Sequence, residues 1–217
     1  MHHYYKEFII YFEEENKEKC VEITLKKLSQ NEIDVTTLYN QILEPALNNM
    51  VCEIESSHMC IWKEHVRSSI IRTIIECCYP YVIKEKNQRF LGKSSGKVVV
   101  LCPDGEYHEI GARMVADFFT LSGFDTTFVG SSTPKVEFLS VIQYLMPDYV
   151  AISVTNYFNL VSAKATIDMI HANCSKPIKI YVGGHAFKNN PDAMKKIGAD
   201  ELIQDSSEIE KIALVEV

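Results

Sequence analysis

All nine glycines of this 217-residue chain lie after residue 84, and this uneven distribution most constrains what the chain can fold into. Glycine is unfavourable inside helices, whereas it is common in the turns that separate strands from helices. The first 84 residues also lack the alternation of apolar and polar residues that strands show. We therefore predict a domain boundary near residue 84, with helices alone before it.

The first part of the chain has apolar residues at helical spacing. Four helices are expected, over 3–15, 17–29, 35–56 and 61–84. Asp34 is a suitable N-cap for the third helix, and Pro45 is expected to kink or interrupt it. Four helices of this length joined by short turns predict a four-helix bundle over residues 1–84.

The second part alternates between two kinds of pattern. Residues 85–97 are charged and then rich in Gly and Ser, which predicts a linker. Short apolar runs follow, each separated from the next by a helical pattern, and they predict strands at 98–102, 126–129, 149–153, 178–182 and near 201–203. Strands that alternate with helices form parallel sheets. Residues 98–217 are therefore predicted to be an α/β domain with a flavodoxin-like (Rossmann-like) five-stranded parallel sheet.

Composition and charge exclude several classes of function. A net charge of −7 and a pI near 5.5 argue against a direct nucleic-acid surface, which would need a basic patch. No apolar run reaches about 18 residues, so no membrane span is expected, and the N-terminus lacks the pattern of a signal peptide. The seven cysteines match neither a zinc pattern nor a disulfide framework, so we expect a cytoplasmic protein.

Three segments of unusual composition follow predicted strands, and a parallel sheet brings the carboxyl ends of its strands to one edge. They are Glu106-Tyr-His108-Glu-Ile-Gly111, Ser153-Val-Thr155-Asn156 and Gly183-Gly184-His185. Imidazole ligates transition metals, and a ligating histidine usually donates its other N–H to a carboxylate. His108 is therefore a candidate metal ligand held by Glu106. Gly111 would let a bulky planar ligand approach the backbone.

The other two segments can also be assigned a binding role. Ser153 and Thr155 would offer hydroxyls to a buried heterocycle, and Gly183-Gly184 would leave room for a long ligand tail. Each of the three segments has a simpler explanation as a cap or a turn, and taken alone the histidine motif favours that explanation. Their occurrence at the strand ends of one half-chain shifts the balance toward a ligand site.

Two familiar kinds of site are disfavoured by the same segments. A zinc hydrolase would need a third ligand, and no histidine or carboxylate stands at a usable spacing to supply one. A dinucleotide site would need Gly-x-Gly-x-x-Gly after the first strand, which is absent there.

From about residue 97 to 205 the chain resembles the cobalamin-binding domain of methionine synthase, corrinoid methyl carriers and cobalamin-dependent regulators. That family shows Asp/Glu-x-His-x-x-Gly, a Ser-x-Leu/Thr segment and Gly-Gly, which are here Glu106-x-His108-x-x-Gly111, Ser153-x-Thr155 and Gly183-Gly184. The resemblance implies a base-off, His-on cobalamin, either adenosylcobalamin or methylcobalamin. His108 would be the lower cobalt ligand, and the displaced nucleotide tail would lie along Ser153, Thr155 and the Gly-Gly pair.

The helical part resembles the cap that precedes this domain in methyl carriers and in light-sensing regulators. Such caps often carry Trp, nine residues and then Glu-His over the upper corrin face, so Glu64 and His65 are implied as upper-face residues. Ile54 stands where that Trp is expected, and the single tryptophan is Trp62. Glu55 stands where light sensors have a histidine that captures cobalt after photolysis, so the resemblance does not extend to a bis-histidine photoproduct.

The resemblance implies two main functions. The stretch from Pro103 to Gly111, with Glu106 in place of Asp, is similar to the regulator branch, so the first hypothesis is a cobalamin-dependent, light-responsive sensor or regulator. Its output would pass through a protein partner or a change in oligomeric state. The alternative is a corrinoid methyl carrier that works with methyltransferases and needs a flexible linker so that the cap can move. A cobalamin storage or escort protein ranks third, and whether the chain belongs to an enzyme system stays open.

Overall fold

The computed structural model describes residues 2–50 and 57–215, and the chain divides into two compact units, Met1–Lys84 and Glu85–Val217. The described residues of the first unit form helices, with short connections at residues 14–16 and 30–34. These elements are α1 (His2–Glu13), α2 (Lys17–Ser29), α3 (Val35–Leu38), a π-helical turn (Tyr39–Leu43), α4 (Glu44–Asn48) and α5 (Ser57–Phe90), the last of which continues into the second unit.

The segment predicted as one helix over 35–56 changes from α-helix to a π-helical turn just before Pro45, where a kink or an interruption was predicted. The Asp34 carboxylate accepts the N–H of Thr37 at 2.7 Å, which confirms Asp34 as the N-cap. The π-helical turn immediately precedes α4, and Pro45, which has no N–H to donate, lies in the first turn of α4. Residues 51–56 of the predicted helix lie outside the described residues.

The core of the first unit is a set of apolar side chains that recur every three or four residues on facing helices. These buried residues include Phe8, Phe12, Leu28, Leu38, Ile42, Ile71, Ile74 and Val82. The stripe on α5 continues through Cys78, which is fully buried. This spacing places one face of each helix in the core, as the periodicity predicts.

The second unit is built on a parallel sheet whose strands are β1 (Lys97–Pro103), β2 (Asp125–Thr133), β3 (Tyr149–Ser153), β4 (Lys179–Gly183) and β5 (Glu201–Leu202). The strand order is β2-β1-β3-β4-β5, and each neighbouring pair is parallel. The predicted flavodoxin-like fold is therefore confirmed. Because β2 and β3 lie on opposite sides of β1, the loops after β1 and β3 diverge, and this is where such sheets bind ligands.

Helices cover both faces of the sheet, which explains why the strands are continuous apolar runs. They are α6 (Ile110–Leu121), α7 (Lys135–Leu145), α8 (Leu160–Asn173), α9 (Ala193–Ile197) and α10 (Ser206–Val215). On one face Val99, Leu101 and Val150 belong to a core shared with α7, α8 and α9. On the other face Phe119 and Phe124 form an aromatic group with Tyr149 and Tyr181.

The structure differs from the prediction at residues 85–90, which are helical rather than part of a linker. Their charged side chains are good helix formers. They are also held in place, since Lys86 Nζ donates to the carbonyl oxygen of Phe124 at 2.7 Å and the ring of Phe90 packs against Gly123. The non-helical connection between α5 and β1 is therefore limited to residues 91–96.

Strand β2 is longer than predicted, because residues 130–133 continue it as an irregular strand instead of forming a loop. Gly130 and Ser132 adopt positive φ values of +110° and +45°, and the pairing register with β1 shifts there. Such a bulge keeps the strand paired while it bends the chain. It brings Ser132 against the loop that follows β1.

The cysteine prediction is wrong in one respect, because Cys60 takes part in a disulfide. Five others do not take part in a disulfide: Cys20, Cys77, Cys78, Cys102 and Cys174. Within residues 2–50 and 57–215, no helix is both long enough and apolar enough to cross a membrane.

Candidate functional site

The loop after β1 is a tight turn that presents Glu106 and His108 at the carboxyl edge of the sheet. The N–H of Glu106 donates to the carbonyl oxygen of Pro103 at 2.9 Å, and Gly105 supplies the positive φ, +80°, that this turn requires. Below the loop, the thiol of Cys102 donates to the carbonyl oxygen of His108 at 3.7 Å. Burial raises the pKa of this thiol to about 12, so it remains protonated as a donor at neutral pH.

The carboxylate of Glu106 joins the loop after β1 to the loop after β3. Glu106 is fully buried. Its Oε2 accepts the backbone N–H groups of Thr155 at 3.0 Å and Asn156 at 2.8 Å, and the side-chain amide of Asn159 at 3.0 Å. The group therefore lies at the point where the strand order reverses, which is the ligand-binding position of this fold.

The environment keeps Glu106 ionised despite its burial. Burial alone would raise its pKa, but the hydrogen bonds from Asn156, Asn159 and His108 outweigh this effect and lower the pKa below its ordinary value of 4.5. The interior of this edge therefore holds a negative charge at neutral pH.

That charge fixes the tautomer of His108. Oε1 of Glu106 accepts the backbone N–H of His108 at 3.1 Å and lies 2.6 Å from the ring Nδ1. An ionised carboxylate can only accept, so Nδ1 carries a proton, and the lone pair of a neutral ring belongs to Nε2. The side chain is 59% exposed, and Nε2 is the nitrogen left for a metal.

Gly111 is a glycine that the fold does not require. Its φ is not positive, and a Cβ built at this position of α6 would meet no atom within 4 Å. Glycine near the start of a helix costs conformational entropy relative to alanine, without a packing benefit here. The open space beside Gly111 fits the predicted approach of a bulky ligand, which stays a prediction.

The Gly183-Gly184 pair has a role in the fold itself. A Cβ on Gly183 would lie 2.9 Å from the carbonyl oxygen of Ile203. At Gly184, whose φ is +104°, it would lie 2.5 Å from the carbonyl oxygen of Val154. The two glycines therefore allow the ends of neighbouring strands to approach closely, and their place beside a ligand tail stays a prediction.

The predicted hydroxyl groups contribute differently from what the sequence indicates. Thr155 reaches the site through its backbone N–H, which Glu106 accepts. In the part of the chain that the structure describes, the hydroxyls of Ser153 and Thr155 make no hydrogen bond. Contact between these hydroxyls and a heterocycle stays a prediction.

The remaining predicted residues lie in the first unit. Glu64 and His65 occupy exposed positions of α5, and Trp62, on the same helix, is 53% exposed. Their role over an upper corrin face stays a prediction, and positions 54 and 55 lie outside the described residues. Across residues 2–50 and 57–215, no group of three or more His, Cys, Asp or Glu side chains converges as a metal site.

Sequence reasoning missed two contacts of the site. Asn159, which donates to Glu106, stands at the start of a predicted helix, where asparagine is common as a cap and attracts no notice. Glu109 is the second case, because its Oε2 accepts the N–H of Ser131 at 3.1 Å. No local signal could find that contact, since it depends on the bulge in β2.

Comparison with known proteins identifies the second unit. Residues 96–214 match the family model described as B12 binding domain. The HTH-type transcriptional repressor CarA of Myxococcus xanthus is 22% identical over 171 residues, which cover 79% of this chain and 55% of that protein. The trimethylamine corrinoid protein of Methanosarcina barkeri is 29% identical over 127 residues, 58% of this chain and 56% of that protein. The chain thus spans about half the length of these curated relatives.

A solved structure extends the likeness to both units. The monomethylamine corrinoid protein of Methanosarcina barkeri matches with a TM-score of 0.79 and 15% identity, and the match covers 97% of each chain. At this level of identity the likeness shows a shared fold. Because the B12 binding domain model matches more than half of the residues, the chain belongs to that family and is a cobalamin-binding protein.

Proposed function

We propose that this protein holds cobalamin in the base-off, His-on form through His108 and acts as a cobalamin-dependent sensor or regulator. The observation that carries the proposal is the contact of 2.6 Å between the buried Glu106 carboxylate and Nδ1 of His108. A metal-bound histidine commonly donates its second N–H to a carboxylate in this way, which fixes the ring and makes the bound nitrogen more basic.

The residues at this edge fit the cofactor. His108 would be the lower ligand, Glu106 would hold its ring, and the space beside Gly111 would admit a large planar group. Ser153, Thr155 and the Gly183-Gly184 pair lie at the ends of neighbouring strands, as expected for residues along a nucleotide tail. When bound, the cofactor supplies a cobalt–carbon bond that light or a reaction partner can break.

Two observations favour a sensor. The similarity to the CarA repressor covers 79% of this chain, which is more than the second unit alone, so it reaches into the helical unit. The histidine motif carries Glu106 where methyl carriers tend to have Asp. With a net charge of −7, the chain is expected to pass its signal to a protein partner or through its oligomeric state rather than by direct contact with nucleic acid.

The second candidate is a corrinoid methyl carrier, with a methyltransferase as its partner. The observation that favours it is the match to the monomethylamine corrinoid protein, which includes both units and nearly all of each chain. In that case the cofactor would carry a methyl group and the chain would be one component of an enzyme system.

The test of the cofactor assignment is a visible spectrum of the protein purified with adenosylcobalamin. We expect a bound corrin with a His-on spectrum. His108→Ala should convert the spectrum to the base-off form or lose the corrin, because the axial nitrogen is removed. His171→Ala changes an exposed histidine in the last turn of α8, at the opposite end of the sheet, and should leave the spectrum unchanged. Absence of bound corrin in the unmodified protein would contradict the assignment, and an unchanged spectrum in His108→Ala would remove the lower-ligand role.

A further inference from the structure

The sharp turn after α1 holds a glutamate in a backbone conformation that suits glycine. Glu15 has a φ of +52°, and its N–H donates to the carbonyl oxygen of Phe12 at 3.1 Å. The next N–H, of Asn16, donates to the carbonyl oxygen of Tyr11 at 2.9 Å. Glycine is the usual residue in this helix-ending pattern, because a Cβ makes the left-handed conformation costly. The turn after α2 has Asn31 in the same place, with a φ of +54°, and asparagine tolerates it better than glutamate.

The side chain of Glu15 makes a contact that glycine could not make. Its Oε1 lies 3.1 Å from Nε and 3.0 Å from Nη2 of Arg67, which belongs to α5. Nη2 also donates to the carbonyl oxygen of Glu13 at 3.1 Å, and the guanidinium carbon lies 5.9 Å from the centre of the Phe12 ring. The side chains of Arg67 and Glu15 are 11% and 18% exposed, so solvent screens this pair less than an exposed surface pair.

Arg67 supplies a positive charge that the end of α1 lacks. The last turn of α1 contains no basic residue, and residues 13–15 are all glutamate. The C-terminal end of a helix carries a partial negative charge and leaves its last carbonyl groups without helical partners. Arg67 compensates for both, because it binds a carboxylate and one of these carbonyl oxygens. Nζ of Lys63, one turn earlier in α5, lies 3.9 Å from the same Oε1.

The part of α5 that Arg67 holds has little apolar burial of its own. Among residues 60–69, all of which the structure describes, none is buried, and the buried stripe of α5 begins at Ile70. Helical spacing places Arg67 on one side of these turns and Trp62 and His65 on the opposite side. Both of those residues are exposed. The charged contact therefore holds residues 60–69 by one side and leaves the other side open.

We propose that Arg67, through Glu15, anchors residues 60–69 of α5 to the end of α1. Arg67 is thereby a positioning residue for the exposed side of these turns, which carries Trp62 and His65. The inference rests on the proposed function only for its meaning toward cobalamin, because the contact exists in the protein without the cofactor.

Two single variants and their combination test the anchor. Glu15→Gly removes the carboxylate and gives the turn the residue that its φ favours, so the turn is retained. Arg67→Met removes the charge and keeps an apolar stem. Because both variants act on one contact, the double variant should loosen residues 60–69 no more than either single variant. Asn31→Gly is the matched control, since it relieves the same backbone conformation at the end of α2.

Trp62 is the single tryptophan of the chain, so its fluorescence reports on these turns. The cobalamin-free protein is measured under reducing conditions, which open the disulfide of Cys60. Glu15→Gly and Arg67→Met should lower the fluorescence anisotropy of Trp62. They should also speed amide hydrogen exchange in residues 60–69 about tenfold, as expected for the loss of hydrogen bonds between charged groups. Exchange in residues 70–82 should not change, and Asn31→Gly should match the unmodified protein.

The inference is overturned if neither variant changes the anisotropy and the exchange of residues 60–69, or if Asn31→Gly changes them equally. It is also overturned if faster exchange extends through residues 70–82, because the contact would then stabilise the whole unit instead of positioning one segment. If Arg67→Met does not fold, Glu15→Gly decides, and if neither variant folds, the inference is overturned as well.

Cobalamin titrations separate this inference from the proposed function. Glu15→Gly and Arg67→Met should bind adenosylcobalamin more weakly, whereas binding of hydroxocobalamin, which lacks the adenosyl group, should not change. If Trp62 becomes more mobile but both affinities stay the same, the anchor is supported and the predicted upper-face role of Glu64 and His65 fails. If the unmodified protein binds no corrin, the proposed function fails, and the fluorescence and exchange measurements still decide the role of Arg67.

Discussion

Gly111 and Gly123 are the same residue type in opposite situations. Gly123 ends α6 with a φ of +92°, and a Cβ there would lie 2.8 Å from the ring of Phe90. Gly111 has neither a positive φ nor a neighbour within 4 Å. The fold therefore explains why position 123 is a glycine, but it does not explain Gly111. A position that must stay open for a ligand would show this pattern.

This contrast predicts opposite effects of the same substitution. Gly111→Ala should raise the free energy of unfolding of the cobalamin-free protein by up to about 1 kcal/mol, because alanine favours the helix, and it should weaken cobalamin binding. Gly123→Ala should destabilise the protein, since the backbone is strained and the ring of Phe90 is displaced. Urea unfolding and cobalamin titration measure the two quantities. Cobalamin binding by Gly111→Ala as tight as in the unmodified protein would contradict the role given to Gly111.

The contact between Glu106 and His108 was predictable from the sequence, and its surroundings were not. Glu106 and His108 are two residues apart after a clear strand, so local pattern alone brings them together. The donors to Glu106 come from residues about fifty positions later, and two of them are backbone groups that carry no side-chain signature. The glycine pair illustrates the same limit, because only the structure shows that the carbonyl oxygen of Val154 occupies the space beside Gly184.

At the scale of the elements, Asp148 joins three strands at the amino edge of the sheet. Its Oδ2 accepts the N–H of Lys97 at 2.9 Å, and its carbonyl oxygen accepts the N–H of Lys179 at 3.1 Å. Lys176 Nζ lies 2.6 Å from Oδ1. The contacts from Lys176 and Lys97 lower the pKa of Asp148 below its ordinary value of 3.8.

A carboxylate whose pKa is lower in the folded state than in the unfolded state stabilises the fold at pH values above the unfolded-state pKa. This contribution is lost as the pH falls through the folded-state pKa. Asp148→Asn should therefore be less stable than the unmodified protein at pH 7, and the difference should disappear as the pH drops below 3.8. Urea unfolding midpoints between neutral and acid pH provide the measurement. Asp168→Asn removes an exposed helix-surface pair with Lys164 and should have little effect at any pH. A pH-independent difference for Asp148→Asn would show that the charge is not the cause.

The order and type of the elements followed from periodicity, whereas some of their ends did not. Helix α5 extends to Phe90 because its last turns bind to Phe124 and Gly123, contacts that no local pattern reports. Strand β2 extends to Thr133 because a bulge absorbs Gly130, which the sequence marks as a turn residue. In both cases tertiary contacts override a local preference.

At the scale of the whole molecule, the proposed sensor role requires that a change at the cofactor alters how the chain associates. Glu64 and His65 are exposed on α5, and we propose them as the residues that respond to the upper side of the cofactor. We predict that illumination of the adenosylcobalamin-loaded protein, which breaks the cobalt–carbon bond, changes its apparent mass in size-exclusion chromatography. The cobalamin-free protein treated with the same light is the control and should not change. No change with light, together with methyl transfer from a donor protein, would instead favour the carrier.

The two backbone donors to Glu106 have a consequence for how this family can diversify. Because Thr155 and Asn156 hold the carboxylate through their N–H groups, their side chains are released from that task. Side-chain substitutions at these positions should leave the contact between Glu106 and His108 in place. In the loop after β3, the side chains at these two positions can therefore vary while Glu106 keeps its backbone donors.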